Sequence, residues 1–208
     1  MAIRYKEIAP MHTDAAAEAT STRAETVVAA LRRRHFQARY VPTAQDALQA
    51  VLELVPEGAG VFLGESGPVD AQAVVSALWK RNTITGRGRT DARGRRIPGE
   101  LQEERAVFLS DVYIATADAI TLDGRILSAD AGGNRVAPMI FGPGKVIIVV
   151  GTDCIVKDRE AGFARIAQAW PQDGEPSDIC TNRGMLESAL PRFSQRINVI
   201  LVGAAAAQ

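Results

Sequence analysis

The residues best suited to chemistry are concentrated between Asp111 and Gly151. Asp118 directly follows a hydrophobic stretch typical of a buried strand, and a second such stretch begins at Lys145. In α/β proteins, ligands bind beyond the carboxyl ends of strands and near the N-termini of helices. The segment therefore predicts one functional site at the carboxyl edge of a sheet. The turn between the two stretches supplies the other candidate residues: Asp130, Gly132, Gly133, Asn134 and Arg135.

Asp118 is the candidate catalytic residue. A carboxylate at the end of a strand could act as a general base or accept a hydrogen bond from a ligand hydroxyl. The alternative is that Asp118 orders the following turn by accepting hydrogen bonds from nearby N–H groups. Residue type and position leave both interpretations open.

The glycine turn is the predicted anion-binding element. Gly132 and Gly133 permit positive φ and a close approach of the backbone to a ligand, and N–H groups at a helix start attract anions. Asn134 could cap that helix, and Arg135 could add a bidentate contact to phosphate or carboxylate. Asp130 either orders the turn or faces the ligand. The alternative is a structural turn in which Arg135 pairs with a local Asp.

A second turn follows the predicted strand Gly58–Leu63. Gly64 and Ser66 are candidate ligand-binding residues there, because a glycine exposes its backbone and a serine hydroxyl can bind an anion. Glu65 could be a nucleophile or a solvated side chain. Since both turns follow buried strands, we predict that they line one pocket.

Helical and strand patterns alternate along the chain, which predicts an α/β fold with a mostly parallel sheet. The Asp123-Gly124 pair predicts the tip of a β-hairpin. Predicted helices cover residues 14–36, a segment beginning after Thr43, Val69–Trp79, Pro98–Ser110 and 158–170. Predicted strands cover residues 37–41, Gly58–Leu63, Asp111–Thr116, Lys145–Val150 and Ile197–Val202.

Composition excludes several classes of protein. The 208 residues are 47% hydrophobic and carry no net charge, so no global field attracts nucleic acid or membrane. No apolar run reaches the roughly 20 residues of a membrane span, and the N-terminus lacks a signal-peptide core, so we expect a cytoplasmic protein. Cys154 and Cys180 cannot alone form a four-ligand metal site, and no GxGxxG motif is present. We therefore expect no metal and no cofactor.

Two further features bear on function. The two histidines, His12 and His35, lie far from Ser66 in the sequence, so a serine-hydrolase triad is not expected. The Arg/Gly segment Gly86–Arg96 is expected to be a flexible, solvated loop, with a lid over an anionic ligand or an RNA contact as alternatives.

The chain resembles the LUD domain family, which includes the lactate-utilization protein C group. The likeness covers roughly Val61 to Gly203 and is carried by DVYIATADAIT, DGRI, GGNRVAPMIFGPGKVIIVVG and IVKD, with VFLGES and RINVILVG. It implies a three-layer, Rossmann-like α/β sandwich similar to ribose-5-phosphate isomerase and the CoA transferases. It also implies a single LUD-type domain over residues 1–208 with an N-terminal helical segment. Several positions depart from the family pattern: Asp118 replaces an Asn, Glu65 replaces a glycine and Pro138 replaces an Ala, Ala131 and Gly132 alter the Asp-Gly-x-Gly-Asn-Arg motif, and of the cysteines usual before the last strand only Cys180 remains.

The resemblance implies an accessory or regulatory component of L-lactate utilization that binds a small anionic metabolite. Its implied partners are iron–sulfur proteins of lactate oxidation, because this chain lacks the cysteines for a cluster of its own. The alternative is an isomerase- or transferase-type enzyme that acts on a phosphorylated or acyl small molecule, with Asp118 as acid/base. The sequence leaves the oligomeric state open, a homo-oligomer included.

Overall fold

The computed structural model describes residues 12–86, 89–90, 96–97, 101–170 and 180–203. In chain order, these residues form α1 (His12–Arg33), β1 (Gln37–Val41), α2 (Ala44–Leu54), β2 (Gly60–Leu63), α3 (Ala71–Leu78), β3 (Thr83–Thr85), β4 (Arg89–Thr90), β5 (Arg96–Ile97), α4 (Leu101–Arg105), β6 (Val112–Ala115), β7 (Ala119–Thr121), β8 (Ile126–Asp130), α5 (Val136–Phe141), β9 (Lys145–Gly151), β10 (Ile155–Val156), α6 (Arg159–Ala169), β11 (Asn182–Leu186) and β12 (Ile197–Val202). Short 3₁₀ turns lie at Ala106–Leu109, Thr152–Cys154 and Pro191–Phe193.

The centre of the molecule is a six-stranded, entirely parallel sheet with the strand order β1-β12-β9-β6-β2-β3. Every residue of β12, and all but the first of β9, is buried. Continuous burial of this kind is characteristic of strands covered on both faces of a parallel sheet. The predicted α/β fold with a mostly parallel sheet is confirmed.

The sheet divides the core into two layers because successive strand residues point to opposite faces. Ile147 and Val149 of β9 pack with α2 and α3 on one face. Val146, Ile148 and Val150 pack with α1 on the other. Helices therefore cover both faces, as in a Rossmann-like three-layer sandwich.

A smaller mixed sheet, with the order β10-β7-β8-β11, lies on the α1 side of the main sheet. Its central hairpin, β7–β8, turns at Asp123 and Gly124 as predicted. Ile120 and Ile126 of the hairpin contribute to the core shared with α1. Leu127 faces the opposite way and packs with Ile166 of α6. The outer strands β10 and β11 were not predicted, because β10 has only two residues and β11, with the sequence NRGML, has no alternating apolar pattern.

The ends of the predicted helices differ from the structure where local hydrogen bonds terminate them. α1 ends at Arg33 because His35 adopts a left-handed φ of 63°, and the N–H of Phe36 donates to the carbonyl of Leu31. α2 begins after Thr43 as predicted, and Thr43 caps it, since its hydroxyl accepts from the N–H of Asp46 at 3.1 Å.

Instead of one helix up to Ser110, the chain forms α4 followed by a 3₁₀ turn. Pro98 and most of the Gly86–Arg96 segment lie outside the described residues. The expectation of a flexible loop there stays a prediction. None of the helices that the structure describes combines the length and apolar character needed to cross a membrane.

Candidate functional site

The connections of the main sheet change direction between the neighbouring strands β2 and β6. From β2 the chain crosses through α3 to β3 at one edge of the sheet, whereas from β6 it returns to β9 on the other side. In open α/β sheets, such a switch point opens a crevice at the carboxyl ends of the two strands. Gly64 and Glu65 follow β2 at this crevice, and Asp118 follows β6.

Arg135 joins the residues that follow these two strands. Its Nη1 lies 2.6 Å from Oε2 of Glu65, and its Nη2 lies 2.8 Å from Oδ2 of Asp118. Nε donates to the carbonyl of Ala129 at 3.0 Å, and Nη2 contacts the same carbonyl. All three guanidinium nitrogens therefore have acceptors, and the Arg135 side chain is only 11% exposed.

Asp118 is held from several directions. The Oδ2 atom that binds Arg135 also accepts from the N–H of Ala129 at 2.8 Å. Its backbone carbonyl accepts from Nε of Arg165, and its own N–H donates to the carbonyl of Leu127. Asp118 therefore fixes the backbone at the open end of the β7–β8 hairpin and not at its turn, whereas the alternative for Arg135, pairing with a nearby Asp, is realised. The catalytic role of Asp118 stays a prediction.

Asp130 organises the glycine turn. Its Oδ1 accepts from the N–H of Gly133 at 2.5 Å, and its Oδ2 accepts from the N–H groups of Arg135 and Val136 at 2.9 and 2.7 Å. Gly133 has the predicted positive φ, at 80°. Asp130 therefore orders the turn, which was one of its two predicted roles.

The expectation that Asn134 caps the following helix is wrong, because the carboxylate of Asp130 satisfies the first N–H groups of α5. The same carboxylate occupies donors that the sequence assigned to a ligand anion. Gly132 is exposed, and a Cβ placed there would approach only the Asn134 side chain, at 3.9 Å. The backbone of the turn thus positions Arg135, and it is the guanidinium that reaches the crevice.

The turn after β2 is tightly packed. A Cβ on Gly64 would lie 2.9 Å from the ring of Tyr113, so only glycine fits. Ser66 is buried, and its hydroxyl donates to the carbonyl of Val69 at 2.6 Å. The proton of Ser66 is thus committed within its own turn. Gly64 borders the crevice, whereas Ser66 supports the turn from inside.

The two turns line one small cleft, as predicted. The residues that line it are Phe62, Gly64, Glu65, Glu104, Tyr113, Asn134 and Arg135. Among the described residues, the Asn134 amide has no hydrogen-bond partner, so it can serve a ligand.

Three lining residues were missed by the sequence analysis. Phe62 and Tyr113 alternate with residues of the α2–α3 core on β2 and β6, and their rings meet edge to face at 6.0 Å. That alternation was a usable signal. No feature of the sequence indicated Glu104, because its position depends on how α4 packs against the sheet.

Among the residues that the structure describes, the cleft is lined by more negative than positive charge. Glu65 and Glu104 line it with Arg135, and Asp118 binds Arg135 as well. The two partners of Arg135 differ, because the Glu65 side chain is 51% exposed and that of Asp118 only 17%. Because the Glu65 side chain reaches solvent, whereas Asp118 is also held by the N–H of Ala129, Glu65 is the more easily displaced of the two partners.

The other reactive residues that the structure describes form no second site. Within the described ranges, no group of three or more His, Cys, Asp or Glu residues could hold a metal ion. Cys154 and Cys180 are not bonded to each other. Burial and Asp153 raise the pKa of the Cys154 thiol, against the opposing effect of Arg165, so the protonated form is favoured.

Comparison with known proteins places the chain in a family. No curated protein matches it. A crystal structure of a DUF162 family protein from Deinococcus radiodurans is similar, with 13% sequence identity and a TM-score of 0.47 over 90% of this chain and 98% of that chain. The sequence pattern of the LUD domain matches residues 24–202. Since this match covers most of the 208 residues, the chain belongs to the LUD domain family.

Proposed function

We propose that this LUD domain binds a small organic anion at Arg135 and serves as an accessory or regulatory component of L-lactate utilization. The observation that carries the proposal is the position of the guanidinium. It lies at the switch point of the sheet, in the cleft, and is oriented from behind by Asp118 and the carbonyl of Ala129. A cation held in place before the ligand arrives loses little freedom on binding, which favours affinity.

The other walls of the cleft suit a small ligand that carries a carboxylate and a polar substituent. Arg135 would pair with the carboxylate, since guanidinium and carboxylate geometries match. The Asn134 amide can donate to or accept from a neighbouring hydroxyl or carbonyl. Phe62 and Tyr113 supply an aromatic wall.

The metabolic role rests on family membership. The LUD family includes the lactate-utilization protein C group, and this supports participation in L-lactate oxidation. Two cysteines cannot bind an iron–sulfur cluster by themselves. The proposal therefore assigns electron transfer to iron–sulfur partner proteins and places the complex in the cytoplasm.

Native mass spectrometry of the protein purified from its host tests the proposal by identifying any retained metabolite. Calorimetry with that metabolite, and with L-lactate, pyruvate and inorganic phosphate, would then compare wild type with Arg135→Gln. We expect the substitution to weaken binding about ten- to hundredfold, since a hydrogen bond to a charged group contributes roughly 1.5–3 kcal/mol. Equal affinities in the folded variant would contradict anion binding at Arg135.

The second candidate is an isomerase- or transferase-type enzyme with Asp118 as acid/base. Its support is the position of Asp118 in the connection that follows β6 at the switch point, where catalytic carboxylates are well placed. Asp118 contacts Arg135, which lines the cleft. For this function, a substrate would have to displace the guanidinium or extend past it to reach Asp118.

A further inference from the structure

We propose that Glu65 is a built-in competitor for the ligand anion. Its carboxylate occupies Nη1 of Arg135 in the ligand-free site, and an incoming anion takes over that nitrogen as Glu65 turns out to solvent. The inference rests on the proposed function, because it assumes that the ligand anion binds Arg135. It identifies Glu65 as the residue that sets the affinity of the site.

The two carboxylates on Arg135 are unequal in a way that assigns them different roles. Asp118 accepts from both Nη2 of Arg135 and the N–H of Ala129, and its side chain is largely buried. Glu65 binds Nη1 at 2.6 Å from a side chain that is half exposed. Asp118 therefore stays paired with the guanidinium, whereas Glu65 can leave Arg135 and be hydrated instead.

The charges of the cleft favour an anion that replaces Glu65 over an anion that binds while Glu65 stays in place. With Glu65 in place, Arg135 is already matched by two carboxylates, and Glu104 also lines the cleft. Among the described residues that line the cleft, Arg135 is the one cation, so a further anion would find no second cation there. An anion that replaces Glu65 at Nη1 restores the same pairing, so displacement is the favourable route.

Such a contact raises the apparent Kd, because the ligand binds only those molecules in which Nη1 is accessible. The apparent Kd equals the Kd of the open site divided by the fraction of such molecules. If Glu65 occupies Nη1 in about nine molecules of ten, the apparent Kd is about tenfold higher than that of the open site. Removing the contact should therefore tighten binding of even the simplest carboxylate.

The test is an acetate titration followed by the Nε–Hε signal of Arg135 in ¹H–¹⁵N spectra. The signal is assigned by its loss in Arg135→Lys. Wild type is compared with Glu65→Gln, which removes the charge, and with Glu65→Asp, which keeps the charge but shortens the side chain. Glu53→Gln is the matched control, because Glu53 pairs with Arg39 rather than with a residue of the cleft. Thermal melts confirm that each variant is folded.

We expect Glu65→Gln to bind acetate about tenfold more tightly than wild type, Glu65→Asp to bind more tightly than wild type, and Glu53→Gln to match it. Equal affinities of wild type and Glu65→Gln would overturn the inference and leave the proposed function standing. A Glu65→Asp variant with the acetate affinity of wild type would also overturn the inference. In that case the carboxylate would weaken binding through its charge alone and not by occupying Nη1. If acetate perturbs Arg135 in no variant, the proposed function fails together with the inference.

Discussion

Glu65 and Arg135 are 70 positions apart in the sequence, yet the Oε2 and Nη1 atoms of their side chains are 2.6 Å apart. Their contact joins the turn after β2 to the turn before α5 across the crevice of the parallel sheet. The site is thus assembled from two strand ends and one arginine.

Asp118→Asn separates the two candidate functions. Removing one partner of a buried ion pair is strongly destabilising, and because Asp118 is partly exposed we expect a loss of up to about 3 kcal/mol, the lower end of the usual range. Chemical denaturation measures this loss. Asp153→Asn is the control, since Asp153 pairs with Arg165 at a more exposed position. A folded Asp118→Asn protein that loses about 10²–10⁴-fold in turnover of an identified substrate would instead favour the enzyme.

Asp130→Ala should disrupt the start of α5 more than an ordinary cap substitution does. Loss of a helix cap typically costs about 0.5–2 kcal/mol, and Asp130 accepts from three backbone N–H groups. Asp158→Ala is the control, because the Asp158 side chain caps α6 through the N–H of Ala161. We expect the larger drop in melting temperature for Asp130→Ala, with faster hydrogen exchange at Val136. Equal drops would mean that the N–H groups of the turn find other acceptors.

Gly124→Ala should be far more damaging than Gly58→Ala, although both glycines have positive φ, at 87° and 78°. A Cβ on Gly124 would lie 2.6 Å from the backbone of Ala30, whereas a Cβ on Gly58 meets nothing within 4 Å. Gly58→Ala should therefore cost only the left-handed backbone strain, about 1–2 kcal/mol. Gly124→Ala should cost this strain and more, because its new Cβ would also push the hairpin away from α1. Similar free energies of unfolding for the two variants would show that the hairpin tip yields easily.

The ion-pair cluster at the hairpin tip should make stability sensitive to acid. Partial burial of Asp123 acts to raise its pKa, but the Thr121 hydroxyl and the guanidinium groups of Arg125 and Arg34 outweigh it and lower the pKa below the usual 3.8. A carboxylate with a lowered pKa in the folded state stabilises the protein above its unfolded-state pKa, and that stabilisation is lost as the pH falls through the folded value.

The melting-temperature difference between wild type and Asp123→Asn should therefore be largest near neutral pH and should shrink below about pH 3.8. Glu160→Gln, which removes an exposed pair with Arg159, should show a much smaller change of the same sign, because the pKa of Glu160 is also lowered by Arg159 but solvent screens the pair. A difference for Asp123→Asn that is constant with pH would exclude the ion pairs as its cause.

The parallel sheet and the hairpin were predictable because their signals are local. The runs Lys145–Val150 and Ile197–Val202 are continuously hydrophobic, as strands buried on both faces must be, and Asp123-Gly124 has the turn chemistry of a hairpin tip. The prediction that two turns line one cleft followed from the rule that parallel strands end at the same edge. These inferences needed only the order and the types of residues.

The pairing of charges was decided by the tertiary structure. The sequence placed Asp118, Asp130 and Arg135 near one another, but each could have faced a ligand or a protein group. Asp130 accepts hydrogen bonds from N–H groups at the start of α5. Arg135 pairs with Asp118 and Glu65 and donates to the carbonyl of Ala129. Hydrogen-bond partners are chosen by distances of a few tenths of an ångström, which depend on how the two sheets and the helices pack together. Residue order determines which groups reach the site, and packing determines which of them remain available to a ligand.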